Sequence, residues 1–114
     1  MRKEQLLQEL QSALPDLRER YPILSFRLFG SFATDSHEAG SDVDLVVELE
    51  RPLDYSAFLD LSDKLEDVLG RPIDLLTMES LTENMRQRIA SHWIHVAGTS
   101  FVLTGQPPTK VAKL

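Results

Sequence analysis

Cysteine is absent from the 114 residues, which removes any disulfide frame or thiolate metal site and fits a reducing compartment. Basic residues are also in the minority, 12 Lys and Arg against 18 Asp and Glu, for a formal charge of −6. That balance opposes direct nucleic-acid binding, which needs a basic patch to neutralise phosphates. No uncharged apolar run approaches the length of a membrane span. The opening Met1-Arg2-Lys3-Glu4-Gln5-Leu6 lacks the apolar stretch of a signal peptide. A cytoplasmic chain with no membrane association is the expectation.

What is present is ordinary for a globular protein: 42% hydrophobic and 26% charged residues, enough for one core. Leu6, Leu7, Leu10, Ala13 and Leu14 fall on one stripe, so residues 2–14 read as an amphipathic helix. Pro15 either ends it or begins a short second turn through Arg20. Strands are expected over residues 22–29, 43–50 and 72–77, with a short helix from Ser31 to about Ser36. Asp54 caps a predicted helix from Tyr55 to Leu69, stopped by Gly70, with Phe58, Leu61, Leu65, Val68 and Leu69 as its buried stripe. A last helix is predicted after a Ser80/Glu83 capping box, with Leu81, Met85, Ile89, Trp93 and Val96 on one face. Residues 1–97 then form one domain, and 98–114 a C-terminal tail, flexible or partner-binding, in which Phe101-Val102-Leu103 offers an edge strand.

The most informative stretch is residues 30–48. Gly30-Ser31 ends the first strand, and ten residues later Asp42-Val43-Asp44 opens the second. A Gly-Ser turn entering a helix suits an anion, because unpaired N–H groups point at it. Carboxylates at i and i+2 of a strand face the same side. Hard oxygen ligands so placed suit Mg²⁺, which takes one or two carboxylates plus substrate phosphates. Val43, Leu45 and Val47 alternate with Asp42, Asp44 and Val46, while Ile73 and Leu75 alternate with Asp74 and Leu76. If the aliphatic sets pack on helices, Asp42, Asp44 and Asp74 share the opposite, open face, where their charges call for a cation.

Each candidate has a plainer reading. Asp42 and Asp44 are also ordinary turn chemistry, and Asp74 could simply pair with Arg71. Arg27 reads equally as a surface charge or a nucleotide neighbour, and His37 as a solvated loop residue or a phosphate contact. Tyr21 and Tyr55 read as packing residues. His92 and His95 are three apart on the predicted last helix, which is not the i, i+4 spacing of a metalloprotease pair, and no acidic partner accompanies them.

Gly30-Ser31, ten intervening residues and Asp42-Val43-Asp44 together resemble the signature of nucleotidyltransferases of the DNA polymerase β superfamily. The short length and Arg71-Pro72-Ile73-Asp74-Leu75-Leu76 make the chain most similar to the minimal nucleotidyltransferase (MNT) group, over roughly residues 1–97. That resemblance implies an α/β nucleotidyltransferase fold, a small mixed β-sheet with helices mainly on one face. It implies transfer of a nucleoside monophosphate, AMP from ATP, onto a hydroxyl, with a two-ion Mg²⁺ site. Asp42 and Asp44 would hold metal, Gly30 and Ser31 would bind the nucleotide, and Asp74 would bind the second metal and accept the proton. By the same resemblance the partner is a HEPN-domain ribonuclease toxin in a hetero-oligomer. The chain would act as antitoxin by AMPylating a toxin tyrosine, with Val46 and Leu76 of the open face meeting that partner. The alternatives are a degenerate antitoxin that only binds, or an enzyme acting on a small hydroxylated molecule. One departure stands out: Ala33-Thr34-Asp35 occupies the place where the family often has Ala-Arg-Gly, so a cation is missing and an anion stands nearby.

Overall fold

The computed structural model describes residues 1–97 in full and the strand backbone of residues 100–102. The elements are α1 (Lys3–Arg20), β1 (Ile23–Phe29), α2 (Gly30–Ala33), β2 (Val43–Leu49), α3 (Tyr55–Leu69), β3 (Ile73–Thr77), a 3₁₀ turn (Met78–Ser80), α4 (Glu83–Ala90), β4 (Ile94–Ala97) and β5 (Ser100–Val102). The five strands run in the order β3-β2-β1-β4-β5. β2 and β3 are parallel, linked through α3. The other neighbours are antiparallel, so the sheet is mixed as expected. β5 takes up part of the anticipated tail; what remains of it lies outside the described residues.

The principal core lies between one sheet face and the pair α1 and α3. Leu6, Leu10 and Leu14 of α1 and Leu61, Leu65 and Leu69 of α3 pack there with Phe26, Leu28, Val43, Leu45 and Val47. α3 has the predicted bounds, because both ends carry strong stop signals. Asp54 Oδ1 accepts the Ala57 N–H at 2.8 Å, and Gly70 adopts φ +68°, the left-handed cap that costs glycine no steric clash. Val68 leaves the predicted stripe and is exposed.

Three expectations need correction. α1 runs through Pro15 rather than ending there. The missing N–H frees a carbonyl one turn back on an exposed side, while Leu14 and Leu17, both buried, hold the helix on the core. The last helix ends at Ala90, and the residues around Trp93 turn into strand β4, paired with β1. Backbone pairing along central β1 outweighs the helical spacing of Met85, Ile89 and Trp93. The cap is correspondingly Thr82, whose Oγ1 accepts from the Met85 N–H, whereas Ser80 Oγ donates to the Thr77 carbonyl.

The opposite sheet face is only partly open. Val46, Phe29, Ile89 and Trp93 form a second buried cluster there, with Leu76, Met78 and Leu81 packed against it. Val46 is fully buried, so the apolar partner surface expected of it is already covered by α4. Leu45 sits fully buried in the principal core, and Leu45→Ala should cost about 2–5 kcal/mol. Urea unfolding followed by far-UV circular dichroism measures it.

Candidate active site

The site forms where β1 gives way to α2. Gly30 adopts φ +73°, and a Cβ built there would overlap the Asp44 carboxylate. Glycine is required twice over, by the left-handed backbone and by the close approach. The antiparallel register sets Phe29 opposite Asp44, which delivers the glycine turn to that carboxylate. The parallel register then sets Asp74 beside Asp44 on the same face. Asp42 lies just ahead of β2 and is exposed. Ser31, half-buried, sits in the single turn of α2.

Electrostatics mark Asp44 as the strained member. Its pKa is raised to about 6, first by burial and then by the charges of Asp74 and Asp42. Asp44 therefore feels both other aspartates, yet among the described residues no group of three or more His, Asp or Glu side chains closes into a metal cage. Arg71 does not relieve the crowding. Its guanidinium donates to the carbonyls of Ala39 at 3.0 Å and Ser41 at 3.4 Å and lies over the Phe32 ring. It braces the loop that leads into Asp42.

Asp35 takes φ +60°, a left-handed conformation that Asp tolerates better than most residues and Gly best of all. The position therefore keeps the backbone shape a glycine would supply. Its carboxylate is bridged by Lys3 Nζ at 2.9 Å, and the same ammonium approaches the Ala33 carbonyl. The cation missing from the motif loop arrives from the first turn of α1. His37 stacks on Phe32 with ring centroids 3.9 Å apart, and its Nε2 lies 2.9 Å from the Met1 carbonyl oxygen.

Arg27 fits neither of its two readings. It is buried, bridged to Glu48 at 3.2 Å and lying over Trp93 at 4.8 Å. His95 pairs in register with Arg27, and its pKa is lowered by burial and by that guanidinium, against a smaller upward pull from Glu48. Tyr21 is packed, donating its hydroxyl to Asp60, whereas Tyr55 is 75% exposed. His92 parts from His95 entirely: its Nε2 accepts the Gly30 N–H at 3.3 Å. That contact was hidden in the sequence because residues 92–96 follow a helical spacing.

Comparison with known proteins agrees with this fold. The family model for the nucleotidyltransferase domain matches residues 10–93. Protein adenylyltransferase MntA of Thermococcus cleftensis is 30% identical over 94 residues, covering 79% of this chain and 95% of that protein. A solved structure provisionally assigned as a minimal nucleotidyltransferase superposes with a TM-score of 0.69 at 28% identity, covering 82% of this chain and 95% of the other. The fold is also shared with a chain of the Shewanella oneidensis complex between a tri-AMPylated HEPN toxin and its MNT antitoxin: TM-score 0.62, 23% identity, 85% and 73% coverage.

Two outcomes follow from the geometry. Gly30→Ala should destabilise the fold by about 2 kcal/mol or more, since it meets both left-handed strain and the Asp44 carboxylate; thermal unfolding reads this out. For Asp44 the folded pKa, about 6, stands above the unfolded value. The folded state therefore holds its proton more tightly, and metal-free stability falls as pH rises from about 4 to about 6. Asp44→Asn should raise metal-free stability above pH 6 by about 1 kcal/mol, allowing for solvent screening of a partly exposed carboxylate. The gain should shrink toward pH 4, which thermal melts in chelator across that range will test.

Proposed function

Because this chain belongs to the nucleotidyltransferase domain family, we propose that it transfers AMP from ATP to a tyrosine hydroxyl of a HEPN-domain ribonuclease toxin and thereby acts as its antitoxin in the cytoplasm. The observation that carries this reading is the abutment of Gly30 on Asp44, with Asp74 in register beside it. One sheet end thus brings a glycine turn and a carboxylate pair to the same point. The named relatives supply the acceptor class: a protein adenylyltransferase, and an MNT antitoxin bound to an AMPylated toxin.

The donor set fits Mg²⁺. All candidate ligands are carboxylate oxygens, Asp44 is pushed up by burial and then by Asp74 and Asp42, and Mg²⁺ needs only one or two protein carboxylates when phosphates and waters complete its shell. Asp42 and Asp44 would hold the first ion, and Asp74 would help bind the second. Ions held by these carboxylates would supply electrostatic stabilisation of phosphoryl transfer. Gly30 and Ser31 hold the outer phosphates through backbone N–H groups. Asp74, exposed at the edge strand, accepts the proton of the incoming hydroxyl. The hydroxyl oxygen bonds to the α-phosphorus, the bond to the bridging oxygen breaks, and pyrophosphate leaves with that electron pair.

The binding-only alternative drew on the Asp35 carboxylate beside the phosphates. Its pairing with Lys3 at 2.9 Å weakens that motive. The partner surface is the part of the site face that α4 leaves uncovered, around Asp44 and Asp74, where the acceptor hydroxyl has to enter.

Asp42→Asn and Asp44→Asn should weaken Mg-ATP binding in calorimetry as well as turnover. Asp74→Asn should bind Mg-ATP nearly normally but transfer label from α-labelled ATP about 10²–10⁴-fold more slowly, the usual cost of a general base. Labelling by that variant at the parent rate would reduce Asp74 to a strand residue. Co-expression with the product of an adjacent gene should return a stable complex and reduced ribonuclease activity. A lone monodisperse species indifferent to its neighbour would instead favour the small-molecule enzyme.

A further inference from the structure

We propose that His92 is a placeholder in the nucleotide site, holding the Gly30 amide in the free chain and yielding it to an outer-phosphate oxygen when nucleotide binds. The inference rests on the nucleotide reading above and names a residue that reading does not require. It starts from the sheet. β1 and β4 pair Phe26 with Val96, Arg27 with His95 and Leu28 with Ile94. Two residues further along that register, His92 stands opposite Gly30. The backbone leaves the ladder there, since the His92 N–H donates to the Ile89 carbonyl at 3.1 Å at the end of α4. In place of a strand bond, the imidazole accepts the Gly30 N–H through Nε2 at 3.3 Å.

The direction of that bond fixes the ring. Nε2 accepts, so the neutral imidazole carries its proton on Nδ1, which lies 3.4 Å from Ser91 Oγ. The half-buried Gly30 N–H is thereby satisfied without ligand, avoiding the penalty of an orphaned donor. An amide has only one proton to give. A phosphate oxygen at the glycine turn competes for it, and a charge-assisted bond is roughly twice as strong as a neutral one. At 3.3 Å the bond to His92 is at the long end for N–H donors, and it loses that competition.

The geometry of the turn does not depend on His92. Thr34 N–H donates to the Gly30 carbonyl, and Phe29 is in register with Asp44. Removing the imidazole therefore takes away a competitor rather than a support. A bond of this kind is worth on the order of a twofold to fivefold change in affinity. His92→Ala should tighten Mg²⁺-loaded β,γ-imido-ATP by that factor in calorimetry, while His92→Gln, which keeps an acceptor, should bind like the parent. A purely structural strut predicts the opposite sign.

A second readout uses the unaltered chain and so does not depend on a variant folding. In ¹⁵N spectra, saturating Mg²⁺ and β,γ-imido-ATP should shift the Gly30 amide and the His92 Nε2 together. If the Gly30 and Ser31 amides respond while His92 Nε2 stays unchanged, or if His92→Ala weakens binding, the placeholder role is overturned and the nucleotide site stands. If neither amide responds and no heat of binding appears, the nucleotide reading fails and takes the placeholder with it.

Discussion

The close approach of Gly30 to Asp44 is the constraint on which the rest of the molecule depends. A side chain at position 30 and a carboxylate at position 44 cannot occupy the same space, so the turn and the acid are one unit. The antiparallel register of β1 and β2 enforces their meeting, and the core beneath holds that register through Phe26, Leu28, Leu45 and Val47. A one-residue slip would send every one of those side chains to the opposite face. The burial that stabilises the fold therefore also sets the position of the site.

Much of this was legible in residue order, for physical reasons. The motif spacing spans a strand end, a loop and a strand start, and period-two alternation assigns Asp44 and Asp74 to one face without further information. α3 was readable because Asp54 and Gly70 are strong local signals at both ends. The illegible parts are those where tertiary contacts outvote local pattern. Residues 85–96 keep a helical apolar spacing, yet Ile94–Ala97 pairs with β1. That switch separated His92 from His95, took Trp93 into the second apolar cluster and concealed the meeting of His92 with Gly30. Likewise, Asp35 seemed to oppose anion binding because its partner, Lys3, lies 32 residues away.

α4 divides the site face into two unlike halves. On one side lie Asp44 and Asp74 at the strand ends. On the other, Arg27, Glu48 and Ser25 form a polar cluster, beside a cleft of about 270 Å³ lined also by Arg86 and Trp93. Between them the cluster of Val46, Phe29 and Ile89 is apolar. That apolar stretch stands between the Arg27 guanidinium and the aspartates along the sheet face. The raised pKa of Asp44 accordingly reflects its own burial and its aspartate neighbours, with no cation among its causes.

The bridges from Lys3 to Asp35 and from the Met1 carbonyl to His37 tie the beginning of the chain to the loop that frames the site. Preparative choices then acquire chemical weight. An affinity tag joined ahead of Met1, or the residual amino acids left by a cleaved one, would crowd the Met1 contact with His37 and the Lys3 bridge to Asp35. Material with an unextended amino terminus is the sound reference for measuring nucleotide affinity.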